Sequence, residues 1–167
     1  GIFANEWGAN LPTQLWIAGR IMESCSLLLF ALRINKTIRM AATFFTYSII
    51  TTLLFLSIFV WKVFPDCFIE GQGLTPFKIY SEYFICLVLL ISLVVLYRKK
   101  EELDSTTFWL ISISIVFTIG AELAFTFYVS VYGFSNLVGH YFKIISFYLV
   151  YLALVRSGIS HPFRLLS

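Results

Sequence analysis

Five long apolar runs are separated by short loops that hold much of the chain's charge. A helix needs about 20 apolar residues to cross a hydrocarbon core about 30 Å thick. The runs predict helix A over 12–33, helix B over 38–63, helix C over 77–98, helix D over 105–131 and helix E over 137–157. Pro12 suits a first helical turn, Pro65 follows B, Pro76 precedes C, and Gly133 and Gly158 stand at the ends of D and E. The expected fold class is therefore all-α, a polytopic transmembrane helical bundle with five transmembrane helices. A β-barrel needs alternating segments of about 10 residues, and these runs are too long and too continuous for one. Only 13% of residues are charged, where a soluble domain carries about 25%. So little charge cannot keep a surface in water, and the natural solvent is the lipid bilayer of the plasma membrane.

The loops predict an orientation. Arg33, Lys36 and Arg39 lie between A and B, Arg98, Lys99 and Lys100 between C and D, and Arg156 and Arg164 at or after the end of E. Lys and Arg favour the cytoplasmic side, so the first residues are expected outside and the last ones inside. Residues 1–158 read as one transmembrane domain and 159–167 as the start of a cytoplasmic linker. The start at Gly1 and the stop after a helix suggest a piece of a longer protein. Cys25, Cys67 and Cys86 show no paired spacing, and no disulfide is expected.

An ionised side chain at a helix centre costs about 2.5–3.5 kcal/mol even on the lower scales. Six candidates nevertheless fall inside the runs and away from their ends: Arg20 and Glu23 on A, Glu82 on C, Glu122 on D, and His140 and Lys143 on E. At a rise of about 1.5 Å per residue, each lies about 5–13 Å or slightly more below the outer end of its helix, and none reaches the inner half. Arg20 and Glu23 are three residues apart, as are His140 and Lys143, so each pair shares a helix face. Three acids, two permanent bases and a histidine nearly neutralise one another, as a buried network requires. Trp16, Tyr83, Phe125 and Tyr128 lie at similar depth and can wall a pocket. Helix B contributes no charge to this layer and is expected to face lipid or to serve packing.

Each residue alone has a bland explanation. Arg20–Glu23 can be a helix-surface pair, Glu82 a wetted interfacial residue, and Lys143 a side chain reaching for headgroups. The layer as a whole favours a site, since chance placement would populate the inner half too. A lone histidine is more often a hydrogen-bonded core residue than a metal ligand, and no recognised ligand spacing joins it to Cys67, Asp66 or Glu70. Hydrolase, zinc-protease and phosphate-loop motifs are absent. Gly71-Gln72-Gly73 reads as a flexible turn, and Gly19 and Gly120 as sites of close helix packing.

Three stretches carry a family resemblance: Asn10–Ser24 (NLPTQLWIAGRIMES), Phe64–Lys78 (FPDCFIEGQGLTPFK) and Glu122–Lys143 (ELAFTFYVSVYGFSNLVGHYFK). They look like the third membrane-associated sensor domain family, and the resemblance covers nearly the whole chain. It implies an N-terminal input module of archaeal and bacterial signalling proteins, followed by PAS, histidine kinase or diguanylate cyclase modules. Family members carry further helices upstream, one ending in a His-Thr-Leu-Ala-Tyr-like stretch. No cofactor is assigned, since a metal or haem site would need histidines from those helices.

The expected function is thus a non-enzymatic sensory input domain of a signal-transduction protein of the histidine kinase or diguanylate cyclase type. A small ligand or ion would bind Arg20, Glu23, Glu82, Glu122, His140 and Lys143, within walls of Trp16, Tyr83 and Tyr128. Helix E would relay the signal. The expected partners are the bilayer, the ligand, a covalently linked cytoplasmic signalling domain and a second copy in a homodimer, with no nucleic acid. A proton-coupled carrier is the alternative, but the inner half lacks charge and no repeats or broken helices mark a midplane site.

Overall fold

The computed structural model describes residues 8–34, 36–37, 39–126 and 134–164, with side chains described to residue 157. Five helices in it are long and apolar enough to cross a membrane. Helix α1 spans Asn10–Leu32, α2 spans Met40–Phe55, α3 spans Pro76–Arg98, α4 spans Ser105–Thr126 and α5 spans Phe134–Arg164. A two-stranded hairpin between α2 and α3 pairs β1 (Phe68–Ile69) with β2 (Gly73–Leu74).

Local chemistry sets the ends. Pro12 falls in the first turn of α1, where its missing N–H has no helical acceptor to lose. Thr75 caps α3 by accepting from the Lys78 N–H at 3.3 Å, with Pro76 as the first helical residue. Asp104 does the same for α4, accepting from the Thr107 N–H at 3.0 Å. The Lys99 ammonium donates to the Leu32 carbonyl at 2.8 Å, satisfying one of the last carbonyls of α1. Gly71 and Gly73 have φ of +83° and +89°, and these left-handed conformations close the hairpin.

Two boundaries differ from the sequence expectation for physical reasons. The α2 run ends in a π-helical turn over Leu56–Val60, followed by Lys62 with φ of 52°. The Ser57 carbonyl then accepts from both Val63 and Phe64 N–H groups, which stops the span short of residue 63. Helix α5 continues through Gly158 to Arg164. A glycine weakens a helix by about 1 kcal/mol relative to alanine, but it does not end one.

Helices α1, α3, α4 and α5 form the bundle, with α4 and α5 packed most extensively. At the end away from the hairpin, Ala31, Ile85, Leu89, Leu96, Phe108, Ile111, Ile115 and Ala153 form a buried apolar cluster. Ser146 of α5 bonds Thr118 of α4 at 2.6 Å and the Ser114 carbonyl at 3.0 Å, a polar join of a kind common between membrane helices. Gly120 faces Phe142, and a Cβ there would stand 3.0 Å from the ring, so this glycine does permit close approach. Gly19 differs: it is exposed and nothing lies within 4 Å of a Cβ built on it. Helix α2 has no buried residue and touches α1 through Tyr47–Ser26 and Thr51–Met22. A helix apolar on every side and uncovered by protein suits lipid contact.

Candidate functional site

The first turns of α1 clamp the hairpin loop. Asn10 Oδ1 accepts from the Cys67 and Phe68 N–H groups at 2.8 and 3.0 Å, and its amide donates to Asp66 at 2.7 Å. One turn on, the Gln14 amide donates to the Phe64 and Pro65 carbonyls, each at 3.1 Å. Thr75 then ties the loop to the start of α3 by donating to the Asp66 carbonyl at 2.6 Å. These bonds satisfy backbone groups that a loop against the bundle would otherwise leave bare. They also bury Cys67 completely. Burial pushes its thiol up to about 12, against a smaller lowering by Lys78.

Beneath this clamp, four helices meet through charge. Arg20 of α1 pairs with Glu122 of α4 through Nε and Nη2, and with Glu23 of its own helix through Nη1. Glu23 also accepts from Lys143 of α5 at 2.8 Å. Within α3, Lys78 pairs with Glu82 at 2.6 Å, and its ammonium donates to the Phe125 carbonyl of α4 at 2.8 Å. Arg20, Glu23, Lys78, Glu82, Glu122 and Lys143 thus hold three positive and three negative charges. Glu82 and Glu122 are 0% exposed and Lys78 1%. Mutual neutralisation is what makes such burial tolerable.

The neutralisation is not complete at the level of hydrogen bonds. Glu122 Oε2 is buried with no hydrogen-bond partner, and both Glu82 oxygens lack one of good geometry despite the ion pair. A buried acceptor without a donor costs about 1–3 kcal/mol, more when charged. Glu122 Oε2 can accept from a water or from a donor on a ligand.

Toward the hairpin end, Trp16, Phe125 and His140 pack edge to face around one point, with ring centroids 5.2–5.6 Å apart. Gly139 makes room for this, since a Cβ there would lie 2.6 Å from the Phe125 ring. The three rings, with Pro12, Thr13, Asn136 and Lys78, line a cavity of about 160 Å³. At roughly 30 Å³ per water, that is room for a few waters or a molecule of a few heavy atoms. Lys78 belongs both to this cavity and to the ion cluster. Among the described residues, no group of three or more His, Cys, Asp or Glu is placed to hold a metal ion.

The membrane-associated sensor domain family MASE3 matches residues 1–162. The chain belongs to this family. It is a membrane-associated sensor domain, as the motifs around Arg20, Asp66 and Glu122 implied. No curated protein and no solved structure matches it.

In this sensor domain, Arg20, Glu23, Glu122 and Lys143 join in one chain of ion pairs, with Glu82 beside them on α3. Trp16 stands over the cluster, its ring 5.9 Å from the Arg20 guanidinium carbon. His140 is exposed and belongs to the aromatic mouth, bonded to none of the six charges. Tyr83 is 46% exposed on α3 and is not brought to the cluster. Glu82 points inward, and the next helical position is turned by about 100°. Tyr128 lies outside the described residues. Lys78 is not among the six charges read from the sequence, and the structure makes it the third buried base. The signal was the four-residue spacing to Glu82, the ion-pair spacing of a helix.

Proposed function

We propose that this domain is the sensory input of a larger signalling protein of the histidine kinase or cyclase type. Its ligand is a small molecule or ion held where the 160 Å³ cavity meets the ion cluster. The observation that carries the reading is the leftover bonding capacity of the cluster. A purely structural ion network would satisfy its buried oxygens, whereas Glu122 Oε2 is left without a donor inside a bundle of four helices. A hydrogen-bond donor or cation passing the Trp16–Phe125–His140 mouth satisfies it.

In this reading the hairpin end faces outward and the loops rich in Lys and Arg face the cytoplasm. Binding pulls Glu122 toward the ligand and weakens its hold on Arg20. Glu23, shared by Arg20 and Lys143, passes the change to α5. Helix α5 carries it to the output domain. The ligand acts only through its different affinity for two arrangements of the cluster.

The test uses the whole signalling protein in membranes, with kinase or cyclase output as the readout. Glu122→Gln and Lys143→Met are expected to fix the output at one level whatever the outer medium contains. Wild-type responsiveness in both folded variants would refute the reading.

A further inference from the structure

A second concavity lies far from the ion cluster, between α3 and α4 at the end away from the hairpin. It measures about 1110 Å³. Its walls are apolar from Leu93 and Phe108 up to Val116, and its rim carries Arg98 and Lys100. From Ser105 to Val116 the α4 wall climbs about 16 Å at 1.5 Å per residue, close to half of a hydrocarbon core about 30 Å thick. Tyr97 and Trp109 flank the rim and are 62% and 59% exposed, amphipathic rings at the depth where membrane proteins place them.

We propose that this groove holds one anionic phospholipid. An acyl chain lies along α3 and α4 while the phosphate sits at Arg98 and Lys100. Three observations select this occupant. The groove's length matches one leaflet, so a chain fills it from rim to midplane. The rim is basic: Arg98 and Lys100 line it, while Glu101 and Glu102 are exposed and form no part of the lining. The Lys100 ammonium is held 5.2 Å from the centre of the Tyr97 ring, which fixes the charge at the groove mouth. Lys99 takes no part, being committed to the Leu32 carbonyl.

Brominated lipids quench tryptophan on contact, and Trp109 lines the groove. The protein is placed in nanodiscs containing increasing brominated phosphatidylglycerol or brominated phosphatidylcholine. The emission lost on Trp109→Phe isolates this residue. The expected result is half-maximal quenching at about fivefold to thirtyfold less phosphatidylglycerol than phosphatidylcholine, about fivefold for each of the two basic contacts that engages the headgroup. The preference should vanish in Arg98→Gln/Lys100→Gln, with helicity by circular dichroism unchanged. Equal quenching by both lipids means bulk lipid contact and overturns the proposal. Quenching by neither means that protein covers the groove, and overturns it too. A preference that survives the double variant shows that the phosphate does not sit at Arg98 and Lys100, and overturns the proposal as well. Should that variant fail to fold, the wild-type comparison of the two lipids still decides.

Discussion

Lys143 of α5 donates a 2.8 Å hydrogen bond to Glu23 of α1, across 120 residues of chain. Glu23 also pairs with Arg20, and Arg20 with Glu122 of α4. The last helix is therefore tied to the first by charge and packed against the fourth.

Glu122→Gln leaves Arg20 without its fully buried partner. An average interhelical hydrogen bond in a membrane is worth about 0.6 kcal/mol, and breaking a buried ion pair costs about 3–5 kcal/mol. Glu122 is 0% exposed, so the loss is expected near the lower end of the second range, about 3 kcal/mol. Glu23→Gln should cost less, since the Glu23 side chain is 26% exposed and water can screen the change. Unfolding in bicelles measures both.

Lys78→Met is expected to destabilise by a similar amount, because it strands Glu82 in the bundle. The double variant Lys78→Met/Glu82→Met should recover most of the loss, since a buried pair replaced by apolar groups is often neutral. A double variant as unstable as the single one would mean that Lys78 acts mainly through the Phe125 carbonyl.

Asn10 holds the hairpin by three hydrogen bonds, and Cys67 lies beneath them. With a thiol pushed up to about 12 and no exposed surface, native Cys67 should resist maleimide at neutral pH. Asn10→Ala should raise its labelling rate about tenfold or more by opening the loop locally. Mass spectrometry of the labelled peptide reads the rate.

Asp104 gives a pH dependence of definite sign. The Thr107 side chain and then the Thr107 N–H hold its carboxyl below the ordinary value, and Arg156, at 3.4 Å, adds to this. A depressed folded-state pKa stabilises above the unfolded value, and that stabilisation is lost as pH falls through the folded one. The contribution of Asp104 should therefore hold at neutral pH and decline below about pH 4. Asp104→Ala should cost about 0.5–2 kcal/mol at pH 7, as other lost helix caps do, and remove that part of the acid sensitivity.

The spans were legible because lipid imposes a length and a polarity that few other structures share. The convergence of Arg20, Glu23, Glu122 and Lys143 was legible from depth alone: charges at one level on separate helices have each other as partners. Rotation about the helix axis was not. Tyr83 and Glu82 are neighbours in sequence, yet one faces outward and the other is fully buried. A helix as uniformly apolar as α3 gives periodicity little to choose between its faces. His140 shares a face with Lys143 by spacing, but the turn that separates them puts the imidazole at the mouth and the ammonium in the cluster. Lys78 was hidden by its place at the head of α3, where a basic residue ordinarily reaches for headgroups.

Coupling between the ion cluster and the far end of α5 is tested most directly by a distance. Nitroxides at Leu29 of α1 and Leu154 of α5, both exposed, report the spacing of the two helices beyond the apolar core. In nanodiscs, electron–electron resonance should show Glu23→Gln shifting this distance by about 1–2 Å or splitting it into two populations, the scale of helix shifts in switching proteins. An unchanged distribution in a folded Glu23→Gln protein would contradict the coupling.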